Sequence, residues 1–266
     1  MTKPGQNPRI RVMKILLTND DGYNAPGILA LYEALSADHE VLLIAPDREK
    51  SAVSHGISLN QPMRIHTVPL DNGRQGYGIT GTPADCVKLG LFELCPSQPD
   101  LIISGINPGC NTGVDINYSG TVGAAREGAL NRILSMAVSI RKTGNEMDFK
   151  GMSGFIAELS EKIHDFDLPD GTFLNINAPD IPMDGVQGVR ITRQAQNNVS
   201  KQFDKRLDPK NRFYYWYGNA NRDGGETDTD TNALAEHCIS ITPIQCDLTD
   251  YKTMERLCSI PLGNKP

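Results

Sequence analysis

The chain has 266 residues, 39% of them hydrophobic and 22% charged, with a formal net charge of −6. That length suits one large domain or two small ones and a core that needs no disulfide staples. The acidic balance argues against a general DNA or RNA binder, which needs a basic face. A small phosphorylated ligand stays open, because backbone amides and a metal outweigh net charge locally.

Residues 1–12 are polar, lack the apolar stretch of a secretory signal, and read as an N-terminal extension. The longest plain apolar run, residues 41–45, is far short of the ~20 residues that a membrane span needs. The six cysteines form no C-x-x-C pair, which suits reduced thiols in a cytoplasmic protein.

The first strand is Lys14-Ile15-Leu16-Leu17-Thr18, ended by the turn signal Asn-Asp-Asp-Gly. A helix follows from about Gly27, with Ile28, Leu31, Tyr32 and Leu35 on one face, and residues 41–45 form a second strand. Continuous apolar runs of this kind fit a parallel sheet covered on both faces. In residues 56–79, Ile57, Leu59, Met63, Ile65 and Thr67 alternate with polar residues, which predicts an antiparallel excursion. Thr82-Pro83-Ala84-Asp85 predicts a helix start, with Thr as N-cap, Pro at N1 and an acid at N3. A buried strand at 101–104, a Gly- and Asn-rich loop at 105–120, a helix at 121–131 and a strand at 135–140 come next. Beyond them the pattern predicts a helix carrying Met152, Phe155, Ile156, Leu159 and Ile163, strands at 173–176, 189–192 and 239–242, and a terminal helix at 251–257. The polar stretch 194–232 is too long for an ordinary connection and reads as an ordered arm or a lid.

Chemistry-bearing residues sit where these strands end, the edge at which open α/β sheets bind ligands. Asp20 and Asp21 follow the first strand; two adjacent carboxylates repel, and a hard cation relieves that repulsion. The competing reading is an Asx turn with Asp20 as a cap. After the second strand, Ser51 and Ser54 offer hydroxyl oxygens and His55 a general acid or base, or simply a charged turn with a structural histidine. In Ser104-Gly105-Ile106-Asn107-Pro108-Gly109, Asn107 supplies a neutral oxygen and the glycines allow close approach. Neither a dinucleotide-binding fingerprint nor a P-loop is present there. Ser119-Gly120-Thr121 opens a helix, whose free N–H groups and dipole attract anions. Two carboxylates, a hydroxyl, an amide and a helix N-terminus are an inventory for a metal and a phosphoryl group.

Residues 13–22 (Met-Lys-Ile-Leu-Leu-Thr-Asn-Asp-Asp-Gly) closely resemble the opening of the SurE family of survival-protein nucleotidases. Ala45-Pro46-Asp47-Arg48 through Ser51, residues 80–87, residues 104–109 and residues 118–128 resemble its further motifs in order, as do Leu174-Asn175-Ile176-Asn177 and Asp230 with Ser240-Ile241-Thr242-Pro243. His237-Cys238 stands where the family usually carries Gly-Tyr. The resemblance implies a three-layer, Rossmann-like α/β domain with a mainly parallel sheet and a C-terminal β-rich oligomerisation arm. The expected bounds are 13–193 with 233–266 for the domain, 194–232 for the arm and 1–12 for the extension.

It further implies a phosphomonoesterase, a 5′-nucleotidase that hydrolyses nucleoside 5′-monophosphates, with 3′-nucleotides and short polyphosphate as further substrates. The metal, Mg²⁺ or Mn²⁺ and one per subunit, is expected on Asp20, Asp21, Ser51 and Asn107. The phosphate is expected on Ser104, Gly105, Ser119, Gly120 and Thr121. Asp20 and Asp21 are the expected catalytic pair, acting by direct attack or by activating water. A homodimer or homotetramer joined through the arm is expected, with no membrane and no nucleic-acid polymer as partner. The alternatives are a non-catalytic metal- and nucleotide-binding sensor and a nucleotide-sugar transferase.

The run Phe213-Tyr214-Tyr215-Trp216-Tyr217 reads as a strand at a subunit contact, or as a source of a ring for a nucleobase. Glu226, Asp228 and Asp230 read as an acidic turn rather than a second metal site.

Overall fold

The computed structural model describes residues 11–70, 73–144, 147–196, 203–217 and 226–260. Most of the expected extension (1–10) and parts of the expected arm (197–202 and 218–225) lie outside them.

Strands β1 (Lys14–Thr18), β2 (Glu40–Pro46), β5 (Leu101–Pro108), β6 (Leu134–Ile140) and β7 (Thr172–Ala178) form the parallel centre of one sheet, in the order β2-β1-β5-β6-β7. On one side β4 (Gln75–Ile79) adds in parallel to β2, and β3 (Ile65–Pro69) pairs antiparallel with β4. On the other side β11 (Ile239–Gln245) is antiparallel to β7, and β8 (Val189–Ile191) closes the edge in parallel. A separate antiparallel pair, β9 (Phe203–Leu207) and β10 (Phe213–Tyr217), contains the aromatic run.

Successive residues of each central strand face opposite sides, so a continuously apolar strand serves two cores. Ile15 and Leu17 pack with α1 (Pro26–Leu35) and α4 (Phe149–Lys162) on one face. Leu16 and Ile102 pack with α2 (Pro83–Leu89) and α3 (Gly120–Leu130) on the other. The result is the three-layer α/β arrangement with a mainly parallel sheet. Each fully buried Leu or Ile contributes about 1.5–3 kcal/mol of transfer free energy, which outweighs weak local propensity.

Helix starts follow their side chains. Thr82 and Asp85 form a reciprocal capping box ahead of α2, and Ser119 accepts from the Val122 N–H at the start of α3. The excursion at 56–79 is shorter than its alternation suggests. Its strands are β3 and β4, which begin only at Ile65, and Ile57 and Leu59 lie in an exposed loop without a strand partner. Helices α5 (Asp230–Ala235) and α6 (Tyr251–Cys258) complete the chain, and α6 buries none of its residues. Among the described residues no helix is long and apolar enough to cross a membrane.

Candidate active site

β2, β1, β5 and β6 are adjacent and parallel, so their carboxyl ends open on one edge of the sheet. A cleft of about 450 Å³ lies there. Asp20 and Asp21 enter it after β1, Glu49 and Ser51 after β2, Asn107 near the end of β5, and Lys142 two residues beyond β6. Asn111, Asp115 and Ser119, from the connection into α3, form the remaining polar wall.

The turn after β1 is closed by Asn19. Its Nδ2 donates to the Gly22 carbonyl at 2.9 Å, and its Oδ1 accepts from the Gly22 N–H at 3.1 Å. The Asx turn is therefore made by Asn19, which leaves both aspartates for other work. Asp20 is buried and accepts from the Thr121 hydroxyl at 2.5 Å through Oδ1. α3 can come this close because residue 120 is glycine; a Cβ there would stand 2.9 Å from the Asp20 Cβ. Burial pushes the Asp20 carboxyl above its ordinary range, against the opposing pull of Thr121. Asp21 is half-buried, and burial together with the neighbouring Asp20 charge pushes its pKa up to about 7. Its Oδ2 is buried and has no hydrogen-bond partner.

A desolvated carboxylate pair with an orphaned oxygen fits a cation that has only oxygen donors around it. Ser51 donates its proton to Glu49 Oε1 at 2.6 Å, which keeps its lone pairs for a metal. The Asn107 amide nitrogen donates to the Gly109 carbonyl, which leaves Oδ1 for the same purpose. The candidate donors on Asp20, Asp21, Ser51 and Asn107 are all hard oxygen rather than the nitrogen and sulfur that zinc favours.

Of the residues expected to hold phosphate, Ser119 lines the cleft. Ser104, Gly105, Gly120 and Thr121 are buried and are not among its lining residues. The Thr121 hydroxyl is taken up by the Asp20 carboxylate. Ser104 and Gly105 precede the irregularity in the β5–β6 register at which Asn107 resumes pairing.

The loop carrying Ser51 is held against α3. Ala52 (φ 56°) and Ser54 (φ 55°) both adopt left-handed backbone without being glycine, a conformation that neighbours must hold in place. The Ser54 N–H donates to Tyr118 O at 3.0 Å and its hydroxyl to Asn117 O at 2.7 Å. Gly123 lets the loop touch the helix; a Cβ there would lie 2.5 Å from Ser54 O. His55 then reaches Glu127 on α3 with Nε2 at 2.8 Å, and Lys88 from α2 meets the same carboxylate at 3.0 Å. His55 and Ser54 thus have structural partners and do not line the cleft. Burial pushes the Glu127 carboxyl up, but its hydrogen bonds from His55 and Lys88 and the Lys88 charge outweigh that and hold it down at about 2.

The opposite wall is pinned from the C-terminal half of the chain. The Asn111 carbonyl accepts from Asn175 Nδ2, and the Asn111 N–H donates to Asn177 Oδ1, both at 2.8 Å. Asp230 is fully buried and accepts from the Gly113, Ala195 and Thr231 N–H groups at 2.8–3.0 Å. Glu226 and Asp228 both pair with Arg193. These three acids therefore fasten the structure together.

Sequence reasoning missed Lys142, Asp115 and Asn111 as cleft residues. Lys142 was detectable in principle, because it follows a predicted parallel strand on the ligand-binding edge.

A family model described as "Survival protein SurE" matches residues 15–201. The protein named 5'-nucleotidase SurE from Desulfatibacillum aliphaticivorans is 48% identical over 246 residues, covering 92% of this chain and 97% of that relative. The protein of the same name from Syntrophobacter fumaroxidans is 44% identical, covering 92% and 98%. The crystal structure of the SurE protein from Aquifex aeolicus matches with a TM-score of 0.78 and 36% identity, over 92% of this chain and 98% of that one.

Two outcomes follow from these electrostatics. Glu127→Gln is expected to lower stability at pH 7 by about 2 kcal/mol in urea unfolding. The Glu127 contribution is complete above the ordinary value of 4.5 and is lost as pH falls from there towards about 2, so wild type and variant converge across that window. Asp21 has the opposite sign. Its ionised form opposes folding of the metal-free protein as pH rises from 3.8 to about 7. With chelator at pH 8, Asp21→Asn should therefore melt higher than wild type, by about 1–2 kcal/mol after allowance for solvent screening. Added Mn²⁺ should raise the wild-type Tm and leave that of the variant nearly unmoved.

Proposed function

The chain belongs to the SurE family, and on that premise we propose that it is a metal-dependent phosphomonoesterase that releases phosphate from nucleoside 5′-monophosphates. The observation that carries the reading is the desolvated Asp20–Asp21 pair, with its orphaned Asp21 Oδ2, facing a cleft that also contains a serine hydroxyl and an asparagine amide. Asp20, Asp21, Ser51 and Asn107 would hold one Mg²⁺ or Mn²⁺ per subunit. When bound, such an ion supplies positive charge for the phosphoryl oxygens and acidifies water.

The protein groups divide the remaining work. Thr121 fixes the rotamer of Asp20 through its hydroxyl. Asp21 would take the proton of the attacking water through the carboxylate oxygen that does not hold the cation. Ser119, at the N-cap of α3, brings a hydroxyl and the positive end of a helix dipole to the phosphate. Glu127, Asn175, Asn177 and Asp230 act at a distance, by keeping the loops in place before substrate arrives. The reaction class extends naturally to 3′-nucleotides and short polyphosphate, since the metal and Ser119 address only the terminal phosphoryl group.

The hairpin of β9 and β10 supports assembly into a dimer or tetramer. Its aromatic residues Phe213, Tyr214, Tyr215, Trp216 and Tyr217 are 40–75% exposed, with Phe203 and Leu207 exposed beside them. Such a cluster on one hairpin is characteristic of a protein interface. Light scattering should therefore give a mass of two or four times 29.1 kDa, and Tyr215→Asp with Trp216→Asp should reduce it.

The activity itself is tested by phosphate release from AMP and GMP with Mn²⁺, with Mg²⁺ and with chelator. Release should require metal. It should fall by about 10²-fold or more in Asp20→Asn and by about tenfold or more in Asn107→Ala. Metal-independent release, or full activity in both variants, would overturn the assignment.

A further inference from the structure

The cleft is unusually acidic for a site that receives an anion. Four carboxylates line it, on Asp20, Asp21, Glu49 and Asp115, against one basic residue among the described lining residues, Lys142. A divalent cation would offset the Asp20–Asp21 pair and leave no surplus of positive charge for a phosphate monoester carrying two negative charges, so local placement of positive charge decides binding.

Lys142 is placed to supply that charge. It lies two residues beyond β6, on the same edge as the carboxylate pair, and its side chain is exposed rather than packed into the core. It lines the same cleft as the Asp20–Asp21 pair. A lysine ammonium on a flexible stem can meet the outer phosphoryl oxygens, which a cation held by the aspartates leaves uncovered.

We propose that Lys142 is a substrate-binding residue of this site: its ammonium contacts the terminal phosphoryl group and favours monoester dianions over singly charged diesters. The inference rests on the phosphomonoesterase reading above and adds to it a residue and a charge preference. Removing the ammonium takes away attraction for the phosphate while removing repulsion for the metal. The two binding events must then respond in opposite directions.

The test compares wild type, Lys142→Ala and Lys142→Arg. Isothermal titration measures Mn²⁺ binding to the metal-free protein and inorganic phosphate binding to the Mn²⁺-loaded protein, and steady-state kinetics uses AMP. In Lys142→Ala the phosphate Kd and the KM for AMP should each rise by about tenfold, with kcat within about twofold of wild type. Mn²⁺ affinity should be unchanged or tighter, and Lys142→Arg should recover most of the loss. Unchanged phosphate Kd and KM would overturn the proposal. So would a parallel loss of Mn²⁺ affinity, which would assign the residue to shaping its loop. If wild type releases no phosphate from AMP, the phosphomonoesterase reading fails, and the phosphate Kd comparison still decides the role of Lys142.

Discussion

Two carboxylates on consecutive residues, both losing water, are the constraint around which this structure is organised. Asp20 and Asp21 stand at the end of a central strand, where the backbone is fixed by parallel neighbours on both sides and cannot relax away. Mutual repulsion and desolvation both disfavour the ionised pair. The fold tolerates the arrangement because Thr121 satisfies one oxygen of Asp20, and because the other groups facing the cleft are ready donors for a cation. On the reading proposed above, that repulsion and desolvation are what a doubly charged ion would relieve.

Holding such a site open needs rigid loops, and the rigidity comes from buried polar contacts more than from regular structure. Glu127 gathers His55 and Lys88 onto α3 and so fixes a loop with two left-handed non-glycine residues. Asn175 and Asn177 lie on a strand two places away in the sheet from β5, yet their amides secure Asn111. In a low-dielectric surrounding each of these contacts would be costly to lose, so together they select one loop arrangement.

Much of this was legible beforehand. The apolar runs at 14–18, 41–45 and 101–104 could only be strands buried on both faces, and Thr82-Pro83-Ala84-Asp85 specified its helix start residue by residue. The order of the motifs placed Asp20, Asp21, Ser51 and Asn107 on one edge once the sheet was taken as parallel. What stayed hidden depends on which way a side chain turns. A threonine at a helix start reads as an anion ligand, whereas Thr121 faces inward to Asp20. Ile57 and Leu59 alternate like a strand but find no partner. His237 occupies a left-handed position (φ 58°) at the place where the resembling family usually has glycine, a cost of about 1 kcal/mol that pattern alone does not reveal.

The contacts of Asp230 set an order of events during synthesis. Gly113 and Ala195 are both fastened by a carboxylate that leaves the ribosome long after them, and β11, which separates β7 from β8, emerges later still. A nascent chain that has made its first 190 residues already owns the parallel strands, both aspartates and the Asn175 and Asn177 contacts to Asn111, but lacks the Asp230 contact to Gly113. The last quarter of the polypeptide, which contributes no residue to the Asp20–Asp21 pair, therefore adds the final fastening to the segment behind Asn111.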